Sequence, residues 1–217
     1  MDIEILYEDK FLLACVKPVG VLSEDGGMPD LLSNQLNAKR IYCVHRLDRD
    51  VGGVMIFAKD GKTAALLSEA ISAHKAKKEY LLICENAPAE NAGTMKDLLY
   101  HDKQKNKTYV VKKARKGVKD ALLDYETLAS DAESGMSLVK ATLKTGRSHQ
   151  IRVQFASRKM PLIGDGKYGS GIKTPKIALW SFRYAFLHPV TGETIVAQKT
   201  PPIENQWTAF DKTIQTI

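Results

Sequence analysis

The sequence predicts an α+β fold with a mixed, mostly antiparallel central sheet and flanking helices. Short runs rich in β-branched and aromatic residues follow one another with only brief turns between them, as in antiparallel hairpins. Helical periodicity is confined to a few segments, and strands and helices do not alternate regularly as they would in a doubly wound fold. A length of 217 residues suits one domain, so we expect residues 1–217 to form a single domain.

The strand predictions rest on apolar runs bounded by turn residues. Residues 3–7 and 11–16 predict one hairpin and residues 178–187 and 193–198 a second, while the short apolar run 53–58 is typical of a buried strand. Further strands are predicted at 80–84, 108–112, 122–128 and 136–143. Apolar residues at helical spacing predict a helix over 62–75. Asp30 and Ser148 stand where N-caps of two short helices would lie.

Composition excludes several classes of protein. Hydrophobic residues make up 44% and charged residues 26% of the chain, which is typical of folded globular domains and not of disordered ones. No apolar run approaches the ~20 residues that a membrane helix needs, and the start has no basic segment of the signal-peptide kind, so we expect a cytoplasmic protein without membrane contact. Three cysteines without close spacing and five scattered histidines predict no disulfide and no metal site.

The positive charge is localised. The chain carries a net charge of +7, yet residues 1–36 hold two lysines against seven acidic residues. Residues 101–119, in contrast, contain eight Lys or Arg and one Asp, and Lys75, Lys77 and Lys78 form a smaller cluster. Such clusters suit the phosphate backbone of a nucleic acid. On charge alone, solvated lysine-rich loops explain the pattern equally well.

Arg46 and Asp48 are the first candidates for a site. If residues 46–48 are extended, alternate side chains share a face, and the guanidinium and the carboxylate point into one cavity. An ordinary structural ion pair fits the same spacing and is favoured by spacing alone. The glycine-rich stretch 164–169 lacks phosphate-loop spacing and is more typical of a tight turn.

Longer motifs make the assignment specific. The stretch HRLDRDVGGVMIFAK (residues 45–59) closely resembles the signature of the RluA-like RNA pseudouridine synthases. KEYLLIC (78–84), TGRSHQIRVQFAS (145–157) and LIGDGKYG (162–169) resemble further motifs of that family in the same order. The opening and closing hairpins are similar as well, so the resemblance covers nearly the whole chain. It implies the pseudouridine synthase fold, with an active-site cleft.

The resemblance also implies roles for individual residues. Asp48 matches the catalytic aspartate, Tyr80 the active-site tyrosine and Arg147 the arginine that pairs with the aspartate. Arg46 matches the arginine that helps displace the target nucleotide. His45, Gln150 and Arg152 are expected to bind substrate alongside it. Since the reaction is an isomerisation, no cofactor and no metal are expected.

We therefore expect an enzyme that flips a uridine of structured RNA out of its stack and isomerises it to pseudouridine. The expected partner is RNA, ribosomal or transfer, most simply as a stem-loop bound by a monomer, and not DNA. A noncatalytic RNA-binding or RNA-folding protein is one alternative, and a glycosidic-bond hydrolase is a second. The sequence departs from the family at Val51-Gly52, where Thr-Ser is usual, and at Gln154, where histidine is common. The first predicted hairpin begins at Ile3, so no small N-terminal RNA-binding domain is expected.

Overall fold

The computed structural model describes residues 1–217 and confirms the α+β prediction. The strands are β1 Ile5–Glu8, β2 Leu12–Lys17, β3 Tyr42–Cys43, β4 Gly52–Ala58, β5 Lys77–Glu85, β6 Ala92–Asp102, β7 Lys107–Val111, β8 Val118–Asp131, β9 Met136–Leu143, β10 Leu179–Leu187 and β11 Thr194–Gln198. The helices are α1 Met28–Gln35, α2 Gly61–Ser72, α3 Gln150–Ala156 and α4 Asp211–Ile214, with a 3-10 helix at Asn205–Phe210. None of these helices is long and apolar enough to cross a bilayer.

The chain divides into two compact units. The first unit comprises Met1–Lys78 and Trp180–Thr200, and the second comprises Glu79–Leu179 and Pro201–Ile217. Each unit is assembled from two separate stretches of sequence. Each unit is therefore held together by contacts between residues that are far apart in sequence.

In the first unit, strands run in the order β1-β2-β4-β10, with β3 also on β4 and β11 on β10. Most neighbours are antiparallel, whereas β4 and β10 are parallel, so the sheet is mixed. Every residue of β4 is buried, which explains its continuous apolar sequence. Alternate residues of β2 and β4 pack into one core, and Leu67 of α2 lies in that core. Asp60 caps α2 by accepting the backbone N–H of Thr63 at 2.8 Å.

In the second unit, strands run in the order β5-β9-β8-β6-β7. Strands β8 and β9 are antiparallel neighbours, β6 pairs antiparallel with the other edge of β8, and β7 pairs with β6 as the outermost strand. Helix α3 covers one face, where Val153 packs against Leu99 and Ala121. The opposite face of β6 and β7 keeps several side chains partly exposed.

Three local predictions differ from the structure. Asp30 lies inside the first turn of α1 rather than capping it, since Gly27 holds the N-cap and Asp30 accepts the N–H of Gly26. Ser148 is also not a cap, because His149 occupies the N-cap of α3 in the left-handed conformation, with φ 52°. Strand β6 was not predicted. Its sequence, AGTMKDLLYHD, mixes charged and apolar residues because only one face is covered.

Candidate active site

The backbone around Asp48 is fixed from both sides. The Asp48 carbonyl accepts the N–H of Val51 at 3.0 Å, which closes a turn between β3 and β4. The preceding residue, Leu47, is buried, and both of its backbone groups bond to the hydroxyl of Ser23, at 2.9 and 3.0 Å. The half-buried Asp48 side chain is therefore presented on a segment whose conformation is held by hydrogen bonds.

Lys17 secures the other side of this turn. Its side chain is fully buried, and its ammonium donates to the carbonyls of Pro18 at 2.9 Å, Val21 at 2.7 Å and Arg49 at 3.1 Å. Burial lowers the pKa of Lys17 to about 8, an effect that the negative charges of Asp50 and Asp48 oppose. The ammonium thus ties the backbone next to Asp48 to the end of β2 and is attracted to the Asp48 carboxylate.

The sequence offered a weak signal for Lys17: a lysine that ends an otherwise apolar strand, immediately before proline. Charged strand-end residues are usually exposed, so the pattern did not single it out as a functional candidate.

Gly52 and Gly53 allow the strand after Asp48 to lie close to β10. A Cβ on Gly52 would stand 2.5 Å from the ring of Trp180, and a Cβ on Gly53 would stand 2.2 Å from the carbonyl oxygen of Ser181. Gly53 also has φ +115°, which a side chain disfavours. The serine usual in the family at position 52 would collide with Trp180 as this chain is packed. In this chain the Trp180 ring therefore occupies the space that a side chain at position 52 would need.

His45, three residues before Asp48, has a neutral imidazole ring. Its Nε2 accepts the backbone N–H of Ile56 at 3.0 Å, and its ring packs on Tyr184 with centroids 4.7 Å apart. Desolvation, with a smaller contribution from the charge of Lys78, lowers the pKa of His45 to about 3. A protonated Nε2 could no longer accept the Ile56 N–H, so the ring remains neutral near neutral pH.

Arg46 has a different environment from that of its neighbours. Residues 46–48 are not part of a strand. The Arg46 side chain is 69% exposed and forms an ion pair with Glu24 at 3.1 Å. The Arg46 guanidinium therefore lies in solvent. A surface ion pair of this kind contributes little to stability, so another anion can readily replace Glu24 as its partner.

In the second unit, the loop before α3 holds Arg147. The Gln150 side-chain oxygen accepts the backbone N–H of Arg147 at 3.0 Å and the hydroxyl of Thr145 at 2.9 Å. The amide nitrogen of Gln150 donates to the carbonyl of Leu122 at 3.2 Å. The guanidinium itself is oriented by a bond from its Nε to the carbonyl of Asp120 at 2.9 Å. Gln150 is buried, so its amide acts within the protein to shape this loop.

Arg152 is likewise buried, in a bidentate ion pair. Its Nε and Nη2 donate to the two carboxylate oxygens of Asp165 at 2.6 and 2.8 Å. The Tyr168 ring lies 5.2 Å from its guanidinium carbon, and the Tyr168 hydroxyl is bonded to Thr108 and His149. This network joins α3 to β7 and to the glycine-rich turn. The sequence placed Arg152 among the candidates but gave no sign of its partner.

Tyr80 lies on β5 and is 7% exposed, so its ring is largely enclosed. Asp48, Arg46 and His45 belong to the first unit, whereas Tyr80, Arg147, Gln150 and Arg152 belong to the second. No group of three or more His, Cys, Asp or Glu side chains is arranged to hold a metal ion.

Comparison with known proteins gives consistent matches. Residues 12–157 match the family model described as RNA pseudouridylate synthase. The uncharacterized RNA pseudouridine synthase YhcT of Bacillus subtilis is 32% identical over 214 residues, covering 94% of this chain and 70% of the relative. Ribosomal large subunit pseudouridine synthase D of Xanthomonas campestris is 31% identical, covering 95% and 68%. tRNA pseudouridine synthase C of Haemophilus ducreyi is 34% identical, covering 78% and 75%.

A solved structure, human RNA Pseudouridylate Synthase Domain Containing 1, has a TM-score of 0.80 to this chain at 19% identity. The match covers 99% of this chain and 94% of that one. It confirms the predicted fold.

Proposed function

The chain belongs to the RNA pseudouridylate synthase family, and we propose that Asp48 is the carboxylate through which it converts a uridine of structured RNA to pseudouridine. The protein is thus an RNA pseudouridine synthase, an isomerase. The observation that carries the role of Asp48 is its placement: a half-buried carboxylate on a hydrogen-bonded turn, attracted to the buried Lys17 ammonium.

The reaction breaks the bond from C1′ to N1 of uridine, turns the base, and joins C1′ to C5. The proton lost from C5 is balanced by the proton gained at N1, so no oxidant, reductant or second substrate is needed. Asp48 acts either by attacking the sugar or by removing a sugar proton so that a glycal forms. Both routes use the ionised carboxylate.

Tyr80 and Arg147 complete the catalytic group. The family resemblance implies that Arg147 is the arginine that pairs with the catalytic carboxylate. Within its own unit, the Arg147 guanidinium is held by the carbonyl of Asp120 and its backbone by Gln150. Tyr80 provides a ring face for the uracil and a hydroxyl that can move a proton. These two roles rest on the family resemblance, and the enclosed ring and the braced loop agree with them.

Arg46 serves at the step that takes the target out of its stack. Its planar guanidinium fills the space that the nucleotide leaves, in the manner of a stacked base. Its exposure and its weak surface pair with Glu24 suit a side chain that must change partners when RNA binds.

His45, Gln150 and Arg152 are predicted to bind substrate, and in this proposal they also act as positioning residues. Gln150 and Arg152 are buried and His45 is half-buried. Each directs polar atoms to protein partners: Ile56 for His45, the Arg147 loop for Gln150, and Asp165 for Arg152. His45 and Gln150 shape the segments that carry Asp48 and Arg147. Arg152 ties the helix after Arg147 to its surroundings.

The substrate is an RNA stem-loop, bound by the protein as a monomer in the cytoplasm. One relative is named for the large ribosomal subunit and another for tRNA, so both classes of RNA are candidates for this chain. The localised positive charge agrees with an RNA partner.

Release of tritium tests this function. The protein is incubated with cellular RNA that carries tritium at C5 of uridine, and the water and any free base are counted. A synthase releases tritium into water without releasing a base. A noncatalytic binder would release neither, and a hydrolase would release uracil; either result would overturn the proposal.

A further inference from the structure

Two tyrosines stand side by side on the open face of the sheet in the second unit. Tyr100 of β6 and Tyr109 of β7 are direct cross-strand partners, so both side chains lie on the same face. Leu99, the neighbour of Tyr100, points to the opposite face and packs under α3 with Val153. The tyrosine face is therefore the uncovered one, and Tyr109 is 36% exposed.

Cations accompany both rings. The Arg115 guanidinium carbon lies 4.8 Å from the centroid of the Tyr100 ring, and the Lys107 ammonium lies 5.9 Å from that of Tyr109. These residues fall in the stretch 101–119, which carries eight Lys or Arg against one Asp. Aromatic faces surrounded by cations complement an anionic chain of stacked rings better than they complement a protein or a lipid surface.

We propose that Tyr100, Tyr109, Lys107 and Arg115, here called the tyrosine platform, bind unpaired nucleotides of the RNA substrate. This proposal rests on the proposed function, which supplies RNA as the partner. The tyrosine and guanidinium faces stack on bases, and the surrounding lysines hold phosphates. A base can stack on such a face only when it is not enclosed in a duplex, so the platform selects single-stranded over double-stranded RNA.

The platform lies where it can bind nucleotides of the substrate other than the target nucleotide. The Nε of Arg147 bonds to the carbonyl of Asp120 on β8, and Asp120 is the cross-strand partner of Leu98, two residues from Tyr100. Strand β7 lies two strand spacings from β8, which is about 10 Å. The strands that carry Tyr109 and the Arg147 contact are therefore separated by a distance that a few nucleotides of one RNA strand can span.

Affinity for short fluorescent RNAs tests the platform. The probes are an oligouridylate, which stays single-stranded, and a blunt RNA duplex of equal length. Tyr109→Ala is expected to weaken oligouridylate binding about tenfold or more, since stacking on one aromatic residue contributes ~1–3 kcal/mol per base. Duplex binding is expected to change much less. Tyr109→Phe keeps the ring and should bind as the wild type does.

Val110→Ala is the matched control, because Val110 is on the same strand, is equally exposed at 36%, and points to the opposite face. It should leave binding of both probes unchanged. Lys107→Gln should reduce the salt dependence of oligouridylate binding, by a slope of about 0.7 for each phosphate that the lysine no longer neutralises. Wild-type affinity in Tyr109→Ala, or equal losses for duplex and single strand, would overturn the platform.

Measurements of turnover distinguish a failure of the platform proposal from a failure of the proposed function. With saturating substrate RNA, Tyr109→Ala should keep the wild-type kcat for tritium release while its KM rises. Absence of tritium release from the wild type would count against the synthase assignment, whereas the oligouridylate measurements would still decide for or against the platform. A loss of kcat without change in KM or in oligouridylate affinity would show a structural role and overturn the platform.

Discussion

The side-chain oxygen of Gln150 accepts the backbone N–H of Arg147 at 3.0 Å. Gln150 is the first residue of α3 and is almost fully buried, while Arg147 lies in the loop before the helix. The same oxygen accepts the Thr145 hydroxyl, so one amide group braces both ends of this short loop. The position of the Arg147 guanidinium thus depends on a residue three positions away.

Gln150→Leu should therefore lower kcat about 10- to 100-fold while RNA affinity changes little, because small displacements of a catalytic group are costly. Gln154→Leu is the matched control: Gln154 is one turn later in α3, equally buried, and bonds to Met95 and Asp97 instead. Steady-state tritium release, with thermal melting for stability, gives the comparison. Equal losses of kcat in the two variants would assign Gln150 only a general structural role.

Breaking the ion pair between Arg152 and Asp165 should destabilise the fold strongly. Asp165→Asn leaves a buried guanidinium short of its counter-charge, and we expect a loss of about 3–5 kcal/mol in the free energy of unfolding. The double variant Arg152→Met, Asp165→Leu should recover part of this stability, as urea denaturation would show. If Arg152 only positions α3, kcat per folded molecule should recover together with stability in the double variant. A folded but inactive double variant would instead indicate contact between Arg152 and RNA.

The neutral His45 ring makes stability depend on pH. Its pKa is lowered from 6.5 to about 3, so below the unfolded value the unfolded chain binds more protons than the folded one. The stabilisation is complete above 6.5 and is lost progressively as the pH falls towards 3. His45→Gln can still accept the Ile56 N–H but does not titrate. The urea midpoint should thus fall more in the wild type than in His45→Gln between neutral pH and about pH 5. Parallel declines would contradict this assignment.

Lys17→Met should impair both folding and turnover. Removing the ammonium leaves the carbonyls of Pro18, Val21 and Arg49 without that donor in a buried site, at a cost of about 1–3 kcal/mol. Because the Arg49 carbonyl adjoins Asp48, kcat should fall even where the variant remains folded. Lys39→Met, at an exposed lysine, is the control and should match the wild type in both urea denaturation and tritium release.

The elements that the sequence predicted best are those with a local signal. Strand β9, at Met136–Leu143, and the hairpin strands β10 and β11 follow from apolar runs between turn residues. Strand β6 lacked that signal because its open face is polar. The His149 cap also had none, since a left-handed residue at an N-cap is set by the bonds of the loop and not by its own preference.

In the candidate site too, features with a local sequence signal were predicted and features set by distant contacts were not. Motif resemblance predicts roles for Asp48, Tyr80 and Arg147, but the hydrogen bonds that hold the Asp48 and Arg147 segments depend on contacts distant in sequence. Gln150 reaches Leu122, and Lys17 reaches Arg49, 32 residues away. No pattern in one sequence reveals such partners, so the hydrogen bonds that Lys17 and Gln150 make could not be predicted from the sequence.

Replacement of Asp48 tests its proposed role as the catalytic carboxylate. Asp48→Asn keeps the size of the side chain and removes its charge, and Asp50→Asn makes the same change at an exposed aspartate two residues later. Tritium release is followed in a single turnover with enzyme in excess over RNA, and RNA affinity is measured in parallel. If Asp48 carries the reaction, Asp48→Asn releases no tritium while it retains most of its RNA affinity, and Asp50→Asn behaves as the wild type does. Tritium release by Asp48→Asn at the wild-type rate would contradict that role.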